Sequence, residues 1–257
     1  MLTNEEIWRI ALRQSAIDYG CMPEDFLKDR NTVTISRPHP KARKYLPLPF
    51  DLDMTSYGNC IVAQCSETFA PLAKTYLDTY DVAHALETPH LQALDTMLAP
   101  HGLKTCFMAE YFLPDVELLK PLPCRYELRI LHQPDFTDLY RPEWSDALCE
   151  KRKELDVLGV GAYDQGKLAG LAACSADCAD MWQIGVNVLP EYRRQGIAAA
   201  MTSRLALEIL ARDKVPFYCA AWCNLKSVRN AIKCGFRPAW VNVTARDFAF
   251  VDQMNQA

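Results

Sequence analysis

The chain alternates between helix-like and strand-like stretches along its length. Behind a Thr3-x-x-Glu6 capping pattern, Ile7, Ile10, Ala11 and Ile17 share one helical face interrupted by Gln14, which predicts a helix to about Asp18. Residues 32–36 and 54–63 alternate as strands, 71–80 reads as a helix, and a further helix opens at Thr88-Pro89 and stops near Pro100-His101-Gly102. Residues 103–112 are apolar enough for a buried strand. Three prolines within 114–123 mark the best boundary, which divides an N-terminal α/β domain, 1–120, from residues 121–257. Beyond it, 126–131 predicts a strand and 135–154 a helical region. Residues 158–163 and 168–173 form a hairpin around Asp164-Gln165-Gly166. Residues 181–189 form a strand that runs through Pro190 into a small-residue turn and a helix, where Ile197, Met201, Leu205 and Ile209 recur every four positions. A strand over 215–222 and a helix opening at Asn224 follow. The order of elements is that of an α/β fold with a mixed sheet.

Composition narrows the function. The 257 residues suit one or two domains, and with 50% hydrophobic residues the core needs neither disulfide nor metal to form. A net charge of −4, from 28 basic and 32 acidic residues, excludes disorder as the main theme and argues against nucleic-acid binding through bulk charge. The best apolar run, 168–174, is far short of the ~20 residues of a spanning helix, and the acidic start is unlike a signal peptide. The expectation is a cytoplasmic protein with no membrane partner. Eleven cysteines include no Cys-x-x-Cys pair, and Cys174/Cys178 and Cys219/Cys223 have no nearby histidine, so they read as reduced thiols with no metal site. His39, His84, His90, His101 and His132 suggest no triad. Arg37, Lys41, Arg43 and Lys44 form a basic loop that either meets an anion or is solvated. Glu110, beside Tyr111 in an apolar strand, is either a buried base or on the wet face of an edge strand.

The junction after residue 189 has the chemistry of an anion site. A strand that turns through small residues into a helix leaves convergent backbone N–H groups at the positive end of a helix dipole. Gly196 and Ala198 let a diphosphate approach closely, and Arg193 and Arg194 add charge; a tightly packed, well-capped helix is the alternative. Arg193-Arg194-Gln195-Gly196-Ile197-Ala198 resembles the Arg/Gln-x-x-Gly-x-Gly/Ala signature of the GNAT superfamily of acyl-CoA N-acyltransferases. Val188-Leu189-Pro190-Glu191-Tyr192 is similar to that family's lead-in, and Asn224-Leu-Lys-Ser227 with Gly235-Phe236 is similar to its second segment, in register. The resemblance covers about 125–250 and implies a GNAT fold there. Residues 1–120 would then be an N-terminal extension, either a degenerate GNAT-like half or an unrelated cap.

The resemblance implies a mechanism. The fourth family strand, here 181–189, splays at a bulge from the fifth, here 215–222, and acetyl-CoA lies in the gap as cosubstrate. Backbone groups of Val186 and Val188 would bind the pantetheine arm, and the N–H groups of Arg194, Gln195, Gly196, Ile197, Ala198 and Ala199, beside Arg193, would hold the diphosphate. Asn224, Ser227 and Asn230 would touch the cofactor or cap the helix. A neutral primary amine of a small molecule would attack the thioester directly in a ternary complex, with the Val188 N–H stabilising the oxyanion. Ala231 stands where many members carry a tyrosine acid, and Trp182 and Gln183 stand where others carry a carboxylate base. Asp180, Tyr218 and Glu110 are the remaining acid–base candidates. A non-catalytic acyl-CoA-binding or sensing module is the alternative from another class. A homodimer is the assembly to look for.

Overall fold

The computed structural model describes residues 2–256. Its contacts divide into two units, Met1–Ala11 with Phe112–Pro238 and Leu12–Tyr111 with Ala239–Ala257. The units are therefore discontinuous in sequence, where a single cut near residue 120 was expected. The physical reason is a strand, absent from the pattern reading, that returns the C-terminus to the unit formed by the first half.

In chain order the elements are α1 (Asn4–Tyr19), β1 (Thr32–Ile35), β2 (Leu52–Ser56), β3 (Ile61–Cys65), α2 (Ala70–Thr79), α3 (Thr88–Leu98), β4 (Leu103–Pro114), β5 (Glu127–His132), β6 (Asp156–Asp164), β7 (Lys167–Ser175), β8 (Met181–Val188), α4 (Ile197–Leu210), β9 (Val215–Ala221), α5 (Leu225–Lys233), β10 (Phe236–Asp247) and α6 (Phe248–Asn255). The Thr3–Glu6 capping box forms: the Glu6 N–H donates to Thr3 Oγ1 at 3.2 Å and the Thr3 N–H to Glu6 Oε2 at 2.7 Å.

In the unit containing the first half, β1 pairs in parallel with β3, β3 antiparallel with β2, and β2 antiparallel with β10. Its core includes Leu52, Met54, Ile61, Ala63, Tyr76, Leu94 and Val243. The single strand expected over 54–63 is a hairpin. Gly58, at φ +104°, turns the chain, and the Ser56 hydroxyl secures the turn by accepting from the Gly58 N–H and donating to the Cys60 carbonyl. The basic loop is also not uniformly solvated. Arg43 is buried, its guanidinium 2.5 Å from the Asp18 carboxylate and over the Trp240 ring, which in turn stacks on Tyr111.

In the other unit the strand order is β9-β8-β7-β6-β5, antiparallel except for the parallel β8–β9 pair. The β6–β7 turn uses Gln165 and Gly166, both at positive φ, as a two-residue hairpin requires. One sheet face packs on α4 through Ile197, Met201, Leu205 and Ile209, all buried. The other packs on Phe136, Trp144, Ala147 and Leu148. These last residues lie in the stretch expected to be helical, which contains only short 3-10 turns over Gln133–Phe136, Pro142–Trp144 and Glu150–Leu155. Pro142 denies a continuous helix over 135–154 an interior N–H donor and crowds the preceding turn, and tertiary hydrogen bonds hold the stretch instead.

The anchor of that stretch is on β8. Asn187 Oδ1 accepts from the N–H groups of Asp146 and Ala147, each at 2.9 Å, and its Nδ2 donates to Asp146 Oδ2 at 2.7 Å. Two residues earlier on the same strand face, Gly185 leaves room for this turn: a Cβ there would lie 1.9 Å from the Asp146 carbonyl oxygen.

Two outcomes follow from this packing. Arg43→Ala leaves a buried carboxylate without its cation and is expected to cost about 3–5 kcal/mol at pH 8. The loss should shrink as pH falls, because burial already raises the proton affinity of Asp18 and removing Arg43 raises it further; urea titrations at pH 8 and pH 5 measure both. Gly185→Ala is expected to lower stability by about 1–3 kcal/mol by forcing the Asp146 turn off β8, read by the same titration.

Candidate active site

Strands β8 and β9 pair from Met181↔Val215 to Ile184↔Tyr218 and no further, although β8 continues to Val188 and β9 to Ala221. On its other edge β8 keeps an unbroken register with β7, from Gly170↔Val188 to Ser175↔Gln183. The strands thus separate without the register shift in β8 that a bulge would produce. The Leu189 N–H donates towards β7, to the Ala169 carbonyl, so antiparallel alternation turns the peptide groups of Val186 and Val188 to the open side. Arg193 Nε donates to the Val188 carbonyl at 3.0 Å, while the N–H groups of Val186 and Val188 have no protein acceptor among the described residues.

This separation opens a cleft of about 1070 Å³. At its C-terminal end the chain passes through Arg194, at φ +62°, and Gly196, at φ +82°, into α4. No side chain caps the helix, and the N–H groups of Arg194 to Ala199 donate to no protein acceptor among the described residues. Arg193, Arg194 and Ala198 line the cleft, and Ile197 and Ala199 are buried against the sheet. A Cβ on Gly196 would meet nothing within 4 Å, so that position is constrained by its backbone angle while the space above it stays open. Gln195 faces elsewhere: its amide accepts from the Tyr126 hydroxyl and donates to the Glu191 carbonyl.

The facing wall comes from β9 and α5. Asn224 caps α5, its side-chain oxygen accepting from the Ser227 N–H at 3.3 Å. Asn230 donates to Thr202 Oγ1 and so ties α5 to α4. The Tyr218 hydroxyl lies 2.7 Å from Ser227 Oγ, and burial holds its proton more tightly than in water. Cys219, bonded to the Gln183 amide, has its thiol pushed up to about 11 by burial. Tyr218, Asn224, Ser227, Asn230, Lys226 and Arg229 all line the cleft.

The opposite end contains residues that the sequence reading did not select: Arg152, Asp156, Ser175 and Asp177. Asp156 Oδ2 accepts from the Cys149 N–H at 2.9 Å and from Tyr140 at 3.2 Å, and burial pushes its carboxyl up to about 6. No linear motif marks these residues; Asp156 reaches the cleft through a change of strand face in β6, and the others come from separate segments. Asp180 is exposed at the start of β8, beside Lys214 at 3.4 Å, and Glu110 is on β4; neither lines the cleft.

Comparison with curated proteins finds no match. Among solved structures the chain is similar to a GNAT-family protein from Novosphingobium aromaticivorans (18% identity, 56% of this chain and 66% of that one, TM-score 0.46). It is similar to a GCN5-related N-acetyltransferase-like protein from Streptococcus suis (20% identity, 73% and 72%, TM-score 0.44). It is also similar to a GCN5-related N-acetyltransferase from Kribbella flavida (16% identity, 62% and 64%, TM-score 0.47). The chain spans just under two thirds of the Novosphingobium and Kribbella proteins. The sequence profile of the GNAT acetyltransferase family matches residues 105–239, more than half of the chain, and the protein belongs to that family.

Proposed function

We propose that the protein is an N-acetyltransferase that moves an acetyl group from acetyl-CoA to a primary amine of a small molecule. The observation that carries this reading is the end of β8–β9 pairing at Ile184↔Tyr218, with a run of unpartnered N–H groups at the mouth of the resulting gap. The pantetheine arm has amides that match the open N–H groups of Val186 and Val188, as an added strand would. The N–H groups from Arg194 to Ala199 suit the diphosphate, with Arg193, Arg194, Lys226 and Arg229 supplying positive charge nearby.

With the diphosphate at that end, the thioester is directed towards the apex, near Ile184 and Gly185. The Val186 N–H, the open donor nearer the apex, is then the donor for the oxyanion of the tetrahedral intermediate, and the Val188 N–H, nearer the mouth along the extended strand, is left to the pantetheine arm. Direct attack by the amine is favoured over an acyl-cysteine intermediate, because Cys219, with its thiol pushed up to about 11, is not a thiolate near neutral pH. Tyr218 is the one sequence-selected acid–base candidate whose side chain lines the cleft, and burial keeps its hydroxyl protonated, as a donor to the leaving thiolate must be.

Acetyl-CoA at 100 times its Kd should stabilise the fold by about 2.7 kcal/mol, a rise of roughly 5–10 °C in Tm, and NADH and ATP should not. Ala198→Glu separates binding from folding. A carboxylate in the first turn of α4 is favourable for the helix dipole but repels a diphosphate at the same N–H groups. The variant should melt no lower than the parent and lose the acetyl-CoA shift; a retained shift would move the cofactor elsewhere. Release of the CoA thiol on adding amines distinguishes catalysis from binding alone.

A further inference from the structure

The cleft is electrically two-ended. Arg193, Arg194, Lys226 and Arg229 lie at the C-terminal ends of the parallel β8 and β9, and Asp156 and Asp177 at the other. The acidic end is built by the sheet. Asp156 on β6, Ser175 on β7 and Gln183 on β8 are direct cross-strand neighbours, one row below the apex at Ile184. Asp156 reaches this row through a bulge: Asp156 pairs with Ser175 but Leu158 with Cys174, so Val157 is an extra residue. Regular alternation would place Asp156 on the same face as Leu158; the extra residue turns it to the cleft face.

The polar atoms here are left open. Asp177 is 1% exposed, and among the described residues neither of its oxygens accepts a hydrogen bond. Arg152 Nε lies 3.1 Å from Asp177 Oδ1 as an ion pair without hydrogen-bond alignment. Asp156 Oδ1 and Ser175 Oγ are likewise buried without a partner. Buried carboxylate oxygens are costly unless donors reach them, and these face the end of the cleft beyond the thioester.

We propose that this end is the acceptor subsite, where Asp177 receives the ammonium group of a cationic primary amine that bears no carboxylate, and Asp156 takes its proton before attack. The inference rests on the acetyl-CoA reading above and names the substrate class for the same cleft. One Arg152 charge against two carboxylates leaves the subsite net negative, which selects for cations and against amino acids. The nitrogen loses two protons in all. The first passes to Asp156 Oδ1; the lone pair so exposed forms the C–N bond, the C–S bond breaks, and the second proton ends on the departing thiolate. Asp156 returns its proton to water. Its carboxyl, pushed up to about 6 mainly by burial, with Asp177 adding a small upward push and Arg152 an opposing one, is ionised at neutral pH yet basic enough to accept. The groups facing it are Tyr140, Cys149, Arg152 and Asp177, with Cys174 behind.

The experiment uses the full chain and two probes of one backbone length, 1,4-diaminobutane and 4-aminobutanoate. Acetyl-CoA titrated calorimetrically should bind the wild type, Asp177→Asn and Asp156→Asn alike. Into CoA-saturated wild type, the diamine should bind at least about tenfold more tightly than the amino acid, and Asp177→Asn should abolish the difference. Thiol release with the diamine should rise with pH through about 6, as Asp156 loses its proton, and Asp156→Asn should lower kcat and flatten that rise, whereas Asp177→Asn should act mainly on KM. Failure of the wild type to bind acetyl-CoA would overturn the cofactor reading and this subsite with it. Intact acetyl-CoA binding with the diamine no better bound than 4-aminobutanoate would overturn the subsite alone, and that comparison needs no variant.

Discussion

The site depends on one constraint: two parallel strands cannot leave their facing peptide groups unpaired unless something else satisfies them. β8 and β9 form a ladder only to Ile184↔Tyr218 and then separate. The unbroken β7–β8 register keeps β8 straight through the gap. The exposed edge is thereby rigid and polar, which is what a ligand needs if it is to bind as a strand. Arg193 satisfies the Val188 carbonyl internally and leaves the N–H groups of Val186 and Val188 to the cleft. The αL turn at Gly196 adds a second set of open N–H groups at the end of the same edge.

Opposite charge at the two ends follows from separate structural devices. At the basic end, the loop and the first turn of α5 lie together because β8 and β9 are parallel, so both strands deliver their C-termini there. At the acidic end, a single extra residue in β6 reverses the face of Asp156. The wall between them is the 145–149 turn, held by three hydrogen bonds to Asn187 and by the bare backbone of Gly185. The proposed anionic cofactor and cationic acceptor are matched to these two ends.

Elements with a strong local pattern were readable. The Thr3–Glu6 box, the Asp164-Gln165-Gly166 hairpin and the four-residue recurrence on α4 each depend on residues a few positions apart. The stretch 135–154 is not the helical region expected because Pro142 breaks the backbone ladder, and its conformation is set by hydrogen bonds to Asp156 and to Asn187, the latter 41 residues from Asp146. Residues 54–63 misled it because alternation continues on both sides of Gly58. Arg43 resembled the solvated cations around it and differs only because Asp18 lies buried beside it.

The sequence by itself determined the small-residue turn into α4 and the family. Both reside in contiguous residues, Arg193 to Ala199 and Asn224 to Phe236, where backbone conformation and helix polarity are local properties. The tertiary structure alone decided how far β8 and β9 stay paired, which carboxylates face the cleft, and that the C-terminal strand returns to the unit formed by the first half. Those outcomes turn on strand register and on hydrogen bonds between residues as far apart as Asp146 and Asn187. Period-two alternation fixes which residues share a face only within an unbroken strand, and the bulge at Val157 is the break that a linear pattern cannot reveal.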